Sequence, residues 1–410
     1  MARIRAPAAA EPEVSAQLTL RPGKERSLLR RHPWVYANAI ARVDGAPAGG
    51  DTVRVVSADG RFLAWAAYSP ASTIRARAWT FAEAQRVDAG WIEERLAQAI
   101  ARRATLVEGT DAVRLVFGEA DLLPGLVVDR YRDQLVLQFL AAGVEAWRDT
   151  VVDALPRLTG CRDLYERSDA AAREREGLSP REGPLAGAAP SAPVEIDELG
   201  VRYAVDVIGG HKTGFYIDQR DNRAMVAAHA AGRRVLNCFC YSGGFSIAAL
   251  RAGAASALSV DSSGPALEYA RLNQRLNGLD RLPDERCEWL EANVFDALKR
   301  LDAEGRDFDL IVLDPPKFAP SSHHVDRAAR AYKEINLKAL RLLSPGGLLF
   351  TFSCSGAIDV DLFQKIVAGA VFDAGVDAQM LRRLQAGDDH PMLMTHPEGE
   401  YLKGLMLMRL

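Results

Sequence analysis

A regular alternation of strand-like and helix-like segments in the second half of the chain constrains its fold more than any other feature. From about residue 211, short apolar runs alternate with longer helical segments. Such alternation is typical of a parallel sheet covered by crossover helices. We therefore predict an α/β fold with a Rossmann-like domain over residues 209–410. Its seven predicted strands span residues 234–238, 256–260, 286–290, 309–313, 347–352, 378–384 and 402–409.

The first half of the chain divides into three smaller segments. Residues 1–15 are rich in alanine, proline and glutamate and are predicted to form a disordered tail. Residues 16–85 are predicted to form a β-rich domain, because short β-prone runs are separated by turn signals. Residues 86–208 are predicted to form a small central α+β domain. Within it we expect helices over 88–108 and 144–158, a loop over 172–193 and a β-hairpin over 194–208.

Composition excludes several classes of protein. Hydrophobic residues make up 48% and charged residues 26% of the chain, as in soluble globular proteins. We find no apolar run near the roughly 20 residues of a membrane span and no secretory signal. The five cysteines form no Cys-x-x-Cys pair, so the sequence predicts neither a disulfide framework nor a metal site. A cytoplasmic location fits this pattern best.

A glycine turn follows the first strand of the Rossmann-like domain. Residues 237–244 (NCFCYSGG) end a strand and open a helix, and Asp261 ends the next strand. Glycine allows close approach of a ligand, and an acid at this position can bind both ribose hydroxyls. A dinucleotide site would share these signals, but Gly-x-Gly-x-x-Gly is absent, so a nucleoside cofactor such as S-adenosylmethionine fits better. Candidate cofactor-binding residues are Asn237, Phe239, Tyr241, Gly243, Asp261 and Asn293, the last of which could equally be a turn residue.

Two further strand ends carry reactive groups. Residues 314–317 (DPPK) stop one apolar strand, which places Asp314 at the ligand-binding edge of the sheet. Cys354 follows the next strand. A thiolate that adds to carbon-6 of a pyrimidine makes carbon-5 nucleophilic enough to accept a methyl group. The alternative for Cys354 is an inert buried cysteine.

Carbon-5 methylation also needs a base that removes the carbon-5 proton. A loop between the last two predicted strands contains Asp389-His390-Pro391 and His396-Pro397-Glu398. Glu398 is the candidate base. His390 and an ordered water are the alternatives, and a purely structural loop is the remaining explanation.

Positive charge is concentrated at the front of the chain. Residues 1–80 contain 12 lysines and arginines against 6 acidic residues, whereas the whole chain has a formal net charge of −3. A basic module on an acidic body indicates, without specificity, an RNA-facing domain. The alternative is a solvated helix face with a buried tryptophan. Candidate RNA contacts are Lys24, Arg26, Arg30, Arg31, Trp34, Arg75, Arg77 and Lys317.

These motifs together resemble the bacterial 23S rRNA cytosine-C5 methyltransferases that carry an N-terminal PUA domain. The resemblance covers nearly the full chain and is carried by residues 27–35, 67–72, 212–220, 237–244, 314–318 and 352–356. It implies a PUA domain for RNA, a central domain and a methyltransferase domain of class I, whose last two strands form an antiparallel pair. Residues 291–293 (EAN) depart from the acidic pattern of the family.

The resemblance also implies roles for individual residues. Phe215, Gln219 and Arg220 would help to enclose S-adenosylmethionine, and Asp261 would bind its ribose. Cys354 would be the nucleophile, and Asp314 would hydrogen-bond the cytosine edge. The assignment of Glu398 as the base depends on a more distant similarity to uracil-C5 methyltransferases.

Three alternatives stay open at this point. A guanine-N7 methyltransferase would share the glycine turn and the proline pair but would need no thiol. A non-catalytic RNA-binding scaffold could retain the fold alone. A small-molecule or protein methyltransferase would not need the basic first segment. Ribosomal RNA is the expected partner, with no membrane or metal, and a homodimer is one oligomeric state that we consider.

Overall fold

A computed structural model of the protein describes residues 16–168, 171–319 and 322–410. The predicted tail over residues 1–15 lies outside the described residues. Within the described ranges, the strands form a six-stranded, a five-stranded and a seven-stranded sheet, together with one separate hairpin. None of the helices in the described part has the length and hydrophobicity that a membrane crossing requires.

Residues 17–80 form the six-stranded sheet, with strand order β2-β6-β5-β4-β1-β3. Its strands are β1 (Gln17–Leu20), β2 (Trp34–Tyr36), β3 (Ile40–Asp44), β4 (Thr52–Val56), β5 (Phe62–Tyr68) and β6 (Ile74–Thr80). A short helix, α1 (Arg26–Leu29), follows β1 and buries Leu28 while its other side chains are exposed. The sequence did not predict β2 and β3. Both are edge strands, and the mostly exposed β3 lacks the apolar alternation of a half-buried strand.

The central region contains the five-stranded sheet, with order β11-β10-β9-β8-β7. Its elements are α2 (Ala89–Leu106), β7 (Ala112–Phe117), β8 (Leu126–Tyr131), β9 (Gln134–Phe139), α3 (Ala142–Ala146), α4 (Arg148–Thr159), β10 (Asp163–Ser168), α5 (Ala171–Arg175) and β11 (Arg181–Ala186). The prediction of one helix over 144–158 is wrong in detail, because Trp147 separates two helices, α3 and α4, in this region. The predicted loop over 172–193 is also wrong in part. Strand β11 tolerates Gly183 and Pro184 because it is an edge strand paired only to β10.

The predicted hairpin is present as β12 (Val194–Glu198) and β13 (Val201–Val205). Its apolar side chains Ile196, Tyr203 and Val205 belong to the same buried core as Val235 and Phe245 of the last domain. The hairpin is therefore packed against the last domain rather than isolated from it. The domain limits at residues 85 and 208 stay predictions.

The seven-stranded sheet of residues 234–409 confirms the predicted α/β fold. Its order is β16-β15-β14-β17-β18-β20-β19, and β20 runs antiparallel to both neighbours. Two buried clusters of apolar side chains cover its two faces. The elements are α6 (Arg220–Ala228), β14 (Arg234–Cys238), α7 (Gly244–Arg251), β15 (Ser256–Asp261), α8 (Gly264–Leu276), β16 (Cys287–Glu291), α9 (Val294–Ala303), β17 (Phe308–Leu313), α10 (Val325–Leu342), β18 (Leu343–Ser353), α11 (Val360–Ala374), β19 (Ala378–Gln385) and β20 (Lys403–Arg409).

Candidate active site

A cavity of about 640 Å³ opens at the carboxyl edge of the seven-stranded sheet. Its walls come from the segment before α6, the β14–α7 turn, the ends of β15, β17 and β18, and the β19–β20 connection. This edge is where open α/β sheets bind ligands, because strand order reverses there and the loops diverge. Eight of the predicted site residues lie on its walls, six of them being Phe215, Gln219, Tyr241, Asp261, Asp314 and Cys354. The other two are Phe239, a predicted cofactor contact, and Lys317, a predicted RNA contact.

The glycine turn brings backbone into the cavity wall. Gly243, just before α7, has a positive φ of 78°, and a β-carbon there would lie 2.5 Å from the ring of Trp289. Phe239 and Tyr241 also adopt left-handed backbone conformations, with φ of 60° and 49°. Non-glycine residues adopt this conformation rarely, and it clusters at ligand sites. The turn therefore packs Gly243 against Trp289 and exposes Phe239, Tyr241 and Gly244 to the cavity.

Asp261 ends β15 and is fixed by the same turn. Its Oδ2 accepts a hydrogen bond from the backbone N–H of Tyr241 at 2.8 Å, and its Oδ1 accepts one from Ser263 at 2.9 Å. The side chain is half-buried and lies on the cavity wall. Two carboxylate lone pairs remain available for further donors.

An aromatic group lines the cavity beside Asp261. The rings of His211 and Tyr241 stack with centroids 4.7 Å apart, and Tyr216 meets Tyr241 edge-on at 5.3 Å. Burial together with the nearby Asp314 raises the pKa of Tyr216 well above its ordinary value, so its hydroxyl stays protonated. Flat rings of this kind suit a planar base.

Asp314 and Cys354 lie in the same cavity. Burial, and then the charge of Asp218, raise the pKa of Asp314 to about 7. Burial, and then the charge of Asp314, raise the pKa of the Cys354 thiol to about 11, while the Lys212 ammonium acts in the opposite direction. The Cys354 Sγ lies 3.9 Å from the carbonyl oxygen of Pro315. The charge with the largest effect on Cys354 is therefore that of Asp314, and the charge with the largest effect on Asp314 is that of Asp218.

Buried hydrogen bonds hold the loop around Cys354. The hydroxyl of Ser353 donates to the Tyr332 hydroxyl at 3.0 Å, and Tyr332 and Ser355 are also hydrogen-bonded at 3.0 Å. The buried Lys403 ammonium donates to the backbone carbonyl of Ser355 at 2.9 Å. These contacts fix the residues on both sides of Cys354. The serines that flank the cysteine in sequence therefore have a positioning role.

Sequence reasoning missed a charged group in this cavity. Asp218 Oδ2 accepts hydrogen bonds from the Lys212 ammonium at 2.5 Å and from the Tyr401 hydroxyl at 2.6 Å. The Lys212 ammonium also lies 4.4 Å from the centre of the Tyr216 ring. Lys212 and Asp218 belong to residues 212–220, which the sequence singled out, but their spacing alone did not indicate this pairing.

Several predicted cofactor contacts have other partners. Arg220 forms a buried two-pronged ion pair with Asp389 and is not on the cavity wall. Asn237 donates to the Ser246 hydroxyl inside the domain, and Asn293 caps α9 through the Phe295 N–H. The observed contact of Asn293 is thus that of a turn residue, which was the alternative given for it.

Glu398 is also outside the cavity. Its Oε2 is hydrogen-bonded to His32 Nε2 of the first domain at 3.1 Å and lies 3.8 Å from His396 Nε2. The Trp34 ring packs against His396 with centroids 4.5 Å apart, and its Nε1 donates to Glu119. The prediction that Glu398 reaches the reacting base is therefore corrected, because Glu398 joins two domains instead. Trp34 packs within the same junction.

The predicted RNA-contacting cations divide into two groups. Arg77 is mostly buried, and its guanidinium pairs with Glu176 of the central region at 2.9 Å. By contrast, the cations around α1 are exposed, as is the lysine of the proline-pair motif. These exposed residues are Lys24, Arg26, Arg30, Arg31 and Lys317, and Arg75 is partly exposed.

Comparison with known protein families matches both ends of this architecture. Residues 18–81 match the PUA-like domain family, and residues 184–391 match the S-adenosylmethionine-dependent methyltransferase family. The chain belongs to the S-adenosylmethionine-dependent methyltransferases. S-adenosylmethionine is accordingly the cofactor of this methyltransferase.

Full-length relatives support the same membership. A protein of Shewanella denitrificans named "Ribosomal RNA large subunit methyltransferase I" is 49% identical over 96% of this chain and 99% of its own length. A Klebsiella pneumoniae protein of the same name is 47% identical over 95% of this chain and 97% of its own. Both alignments include the PUA-like domain as well as the methyltransferase domain.

Solved structures share the fold. An S-adenosylmethionine-dependent methyltransferase from Streptococcus mutans superposes with a TM-score of 0.81 over 96% of this chain and all of the other, at 22% identity. A second methyltransferase structure, complexed with SAH, gives 0.83 over the same shares and at the same identity. At this identity the likeness establishes the three-part architecture and nothing finer.

The residues of this methyltransferase fit its cofactor. Asp261 offers carboxylate lone pairs at the end of the second sheet strand in sequence, where ribose hydroxyls need acceptors. Gly243 allows the turn to pack against the Trp289 ring, and the next residue, Gly244, lies on the cavity wall. Phe215 and Phe245 add apolar surface to the cavity wall for the rest of the molecule.

Proposed function

We propose that this methyltransferase forms 5-methylcytosine in 23S ribosomal RNA of the large subunit, through a transient bond between Cys354 Sγ and carbon-6 of cytosine. The ribosomal part of the proposal is supported by full-length relatives named as large-subunit ribosomal RNA methyltransferases. The cytosine part is supported by the chemistry of the cavity. The observation that carries it is a thiol, Cys354, beside a carboxyl group, Asp314, in the cofactor cavity.

Cytosine carbon-5 needs such a thiol because it is a weak nucleophile. When the Cys354 thiolate adds to carbon-6, the carbon-5–carbon-6 π electrons move toward carbon-5 and the ring nitrogen. The cofactor, when bound, supplies an electrophilic methyl group on a sulfonium. Loss of the carbon-5 proton then restores the double bond and expels the thiolate. A ring nitrogen, by contrast, attacks a methyl donor without this help.

Asp314 can accept the proton of the Cys354 thiol. Its pKa of about 7 means that it can both accept and donate a proton near neutral pH. Uptake of the Cys354 proton would also remove the negative charge that raises the pKa of the thiol. The protonated carboxyl could then donate a hydrogen bond to the ring nitrogen of cytosine, where charge accumulates during addition.

Replacement of Asp261 should weaken cofactor binding. We expect Asp261→Asn to raise the Kd for S-adenosylhomocysteine by about 10–100-fold, because a charged acceptor of two ribose hydroxyls is lost. Titration calorimetry would measure this change. Glu288→Gln is the matched control, because Glu288 is an exposed acid on the neighbouring strand β16. Equal affinities for the two variants would contradict the assignment of Asp261.

Asp314 should cost the folded protein stability at high pH. Burial, and then the charge of Asp218, raise the pKa of this carboxyl from its ordinary value to about 7. The folded state therefore disfavours the ionised form, and this penalty grows from about pH 4 to pH 7 and is constant above. We expect Asp314→Asn to be more stable than wild type at pH 8, on the order of 2 kcal/mol, with the advantage vanishing near pH 4. Urea unfolding at both pH values would measure it, and an equal difference at both would contradict the raised pKa.

The exposed cations around α1 should contribute to RNA affinity. We expect the double charge reversal Arg30→Glu, Arg31→Glu to weaken binding of ribosomal RNA fragments at least tenfold and to reduce the salt dependence, because phosphate contacts release counterions. Arg61→Glu is the control, since Arg61 is exposed in the same domain at the β4–β5 turn. A salt dependence unchanged by the double reversal would remove α1 from the proposed RNA surface.

Trapping the covalent adduct would test the proposal directly. Ribosomal RNA with 5-fluorocytidine at the target position has no carbon-5 proton to lose, so the bond between Cys354 and carbon-6 should persist. We expect a protein–RNA complex that survives denaturing electrophoresis. Its cytosine ring should carry a methyl group only when S-adenosylmethionine is present. Absence of such a complex, with methyl transfer to normal RNA intact, would contradict the covalent mechanism.

A further inference from the structure

The proposed reaction needs a base for the carbon-5 proton, and the structure offers one that the sequence did not indicate. Asp218 lies on the wall of the cavity that also contains Asp314 and Cys354. Only 2% of the Asp218 residue surface is exposed. The inference that follows rests on the proposed function.

The two oxygens of this carboxylate have different surroundings. Oδ2 accepts both available hydrogen bonds, from the Lys212 ammonium and from the Tyr401 hydroxyl. Oδ1 is buried and has no hydrogen-bond partner among the described residues. A buried carboxylate oxygen without a donor is costly, so native structures rarely keep one without a reason.

Several features keep this carboxylate ionised. Burial alone would raise the pKa of Asp218, but the nearby Lys212 ammonium and His390 hold it well below its ordinary value. Lys212 itself has a left-handed backbone conformation, with φ of 54°. Such strain in a non-glycine residue is typical of functional sites. The protein therefore maintains, beside the reacting groups, a carboxylate with one free oxygen.

We propose that Asp218 Oδ1 is the base that removes the carbon-5 proton after methyl transfer. The proton passes to Oδ1, and the electrons of the carbon–hydrogen bond form the carbon-5–carbon-6 double bond. The carbon-6–sulfur bond breaks in the same step, its electron pair returns to Cys354, and Asp314 gives back the thiol proton. The proton subsequently leaves Asp218 to solvent, which regenerates the enzyme.

The other candidates in or near the cavity are less suitable. Asp314 would already hold the thiol proton at this stage. Burial, and then Asp218, raise the pKa of the Tyr401 hydroxyl well above its ordinary value, and Tyr216 is raised likewise. Glu398 is hydrogen-bonded to His32 at the domain junction. Asp261 is assigned to the ribose of the cofactor. Asp218 is thus the remaining ionised carboxylate of this wall that has an oxygen without a donor among the described residues.

The test uses the full-length enzyme with Asp218→Asn, normal ribosomal RNA and methyl-labelled cofactor. Without the base, addition and methyl transfer can proceed but elimination cannot. We expect about one labelled methyl per enzyme, in a protein–RNA complex stable to denaturation, and turnover reduced by about 10²–10⁴-fold. The wild type should release methylated RNA and leave little labelled complex.

Two carboxylate variants serve as controls. Asp314→Asn should stop before methyl transfer and give no labelled complex, although Asp314 is in the same cavity. Glu398→Gln should also leave no labelled complex behind, because product release does not depend on it. A labelled complex with Glu398→Gln, or turnover of Asp218→Asn within a few-fold of wild type, would overturn the proposal.

Asp218 could instead accept a hydrogen bond from the amino group of the cofactor. In that case Asp218→Asn would weaken binding of S-adenosylhomocysteine and form no labelled complex, a result that would overturn the base assignment. If Asp218→Asn does not fold, Asp218→Glu retains the charge but moves the oxygen. The Asp218→Glu enzyme should eliminate the product more slowly, so that the labelled complex is seen transiently. Unchanged turnover of this variant would overturn the proposal.

Failure of this inference can be separated from failure of the proposed function. If the wild type forms the complex with 5-fluorocytidine RNA but Asp218→Asn accumulates none with normal RNA, only the base assignment is wrong. If the wild type forms no complex with the fluorinated RNA, the covalent mechanism itself is wrong.

Discussion

Cys354→Ala should reduce the formation of methylated cytosine by at least about 10⁴-fold, the scale of loss seen when a covalent nucleophile is removed. Without sulfur addition, carbon-5 stays too weak a nucleophile to attack the methyl donor. The substitution removes one sulfur atom from a partly buried loop whose neighbours, Ser353 and Ser355, keep their own hydrogen bonds. The folded structure and cofactor affinity should therefore survive.

The measurement is single-turnover methyl transfer with enzyme in excess, together with calorimetric binding of S-adenosylhomocysteine. Cys161→Ala is the matched control, because Cys161 is a buried cysteine in the core of the central region. It should methylate RNA at the wild-type rate. A Cys354→Ala enzyme within tenfold of that rate, with cofactor affinity intact, would contradict a covalent role.

Asp389→Ala should produce the largest loss of stability. Asp389 is fully buried and accepts hydrogen bonds from the Arg220 guanidinium, the Arg114 backbone N–H and His390. Removal would leave the Arg220 charge buried without its main partner, which costs about 3–5 kcal/mol. Asp388→Ala, at the exposed neighbouring position, should change stability by less than about 0.5 kcal/mol.

The pH dependence of this effect has a definite sign. Burial opposes ionisation of Asp389, but His390 and Arg220 dominate and lower its pKa. Its contribution is therefore complete above the pKa of the unfolded chain and decreases as pH falls below about 4. Urea unfolding of wild type and Asp389→Ala at pH 7 and at about pH 3 would measure the difference. A gap that widens in acid would contradict the assigned ion pair.

The sequence predicted the parts of the fold that are encoded locally. Strands of the seven-stranded sheet were predicted within a few residues of their observed limits. Most of them are buried apolar runs that end at a turn signal, whereas β16 and β19 are largely exposed edge strands. Ser263 caps α8 through the Ala266 N–H, with Pro265 in the first turn. Signals of this kind depend only on neighbouring residues. They also placed Asp261, Asp314 and Cys354 at one edge of the sheet.

Contacts between distant segments could not be predicted in the same way. Glu398 pairs with a histidine 366 positions earlier, and Asp389 with an arginine 169 positions earlier. No local pattern distinguishes these acids from the catalytic candidates around them. Thr213 donates to the buried Asp129 at 2.5 Å, which ties the cavity segment to the central region. Such pairings depend on how whole domains pack.

The same limit applied to Asp218. Its residue type and its place in residues 212–220 were visible, but its free Oδ1 depends on Tyr401, 183 positions away, which occupies Oδ2 together with Lys212. The sequence therefore indicated the segment and not the role. A base assignment required knowledge of which lone pairs are occupied.

The most direct test of the central claim is the chemical identity of the product. Unmodified 23S ribosomal RNA would be incubated with enzyme and S-adenosylmethionine, digested to nucleosides and analysed by mass spectrometry. We expect 5-methylcytidine as the product with wild type and none above background with Cys354→Ala. A methylated guanosine or adenosine, or 5-methylcytidine formed equally well without Cys354, would contradict it.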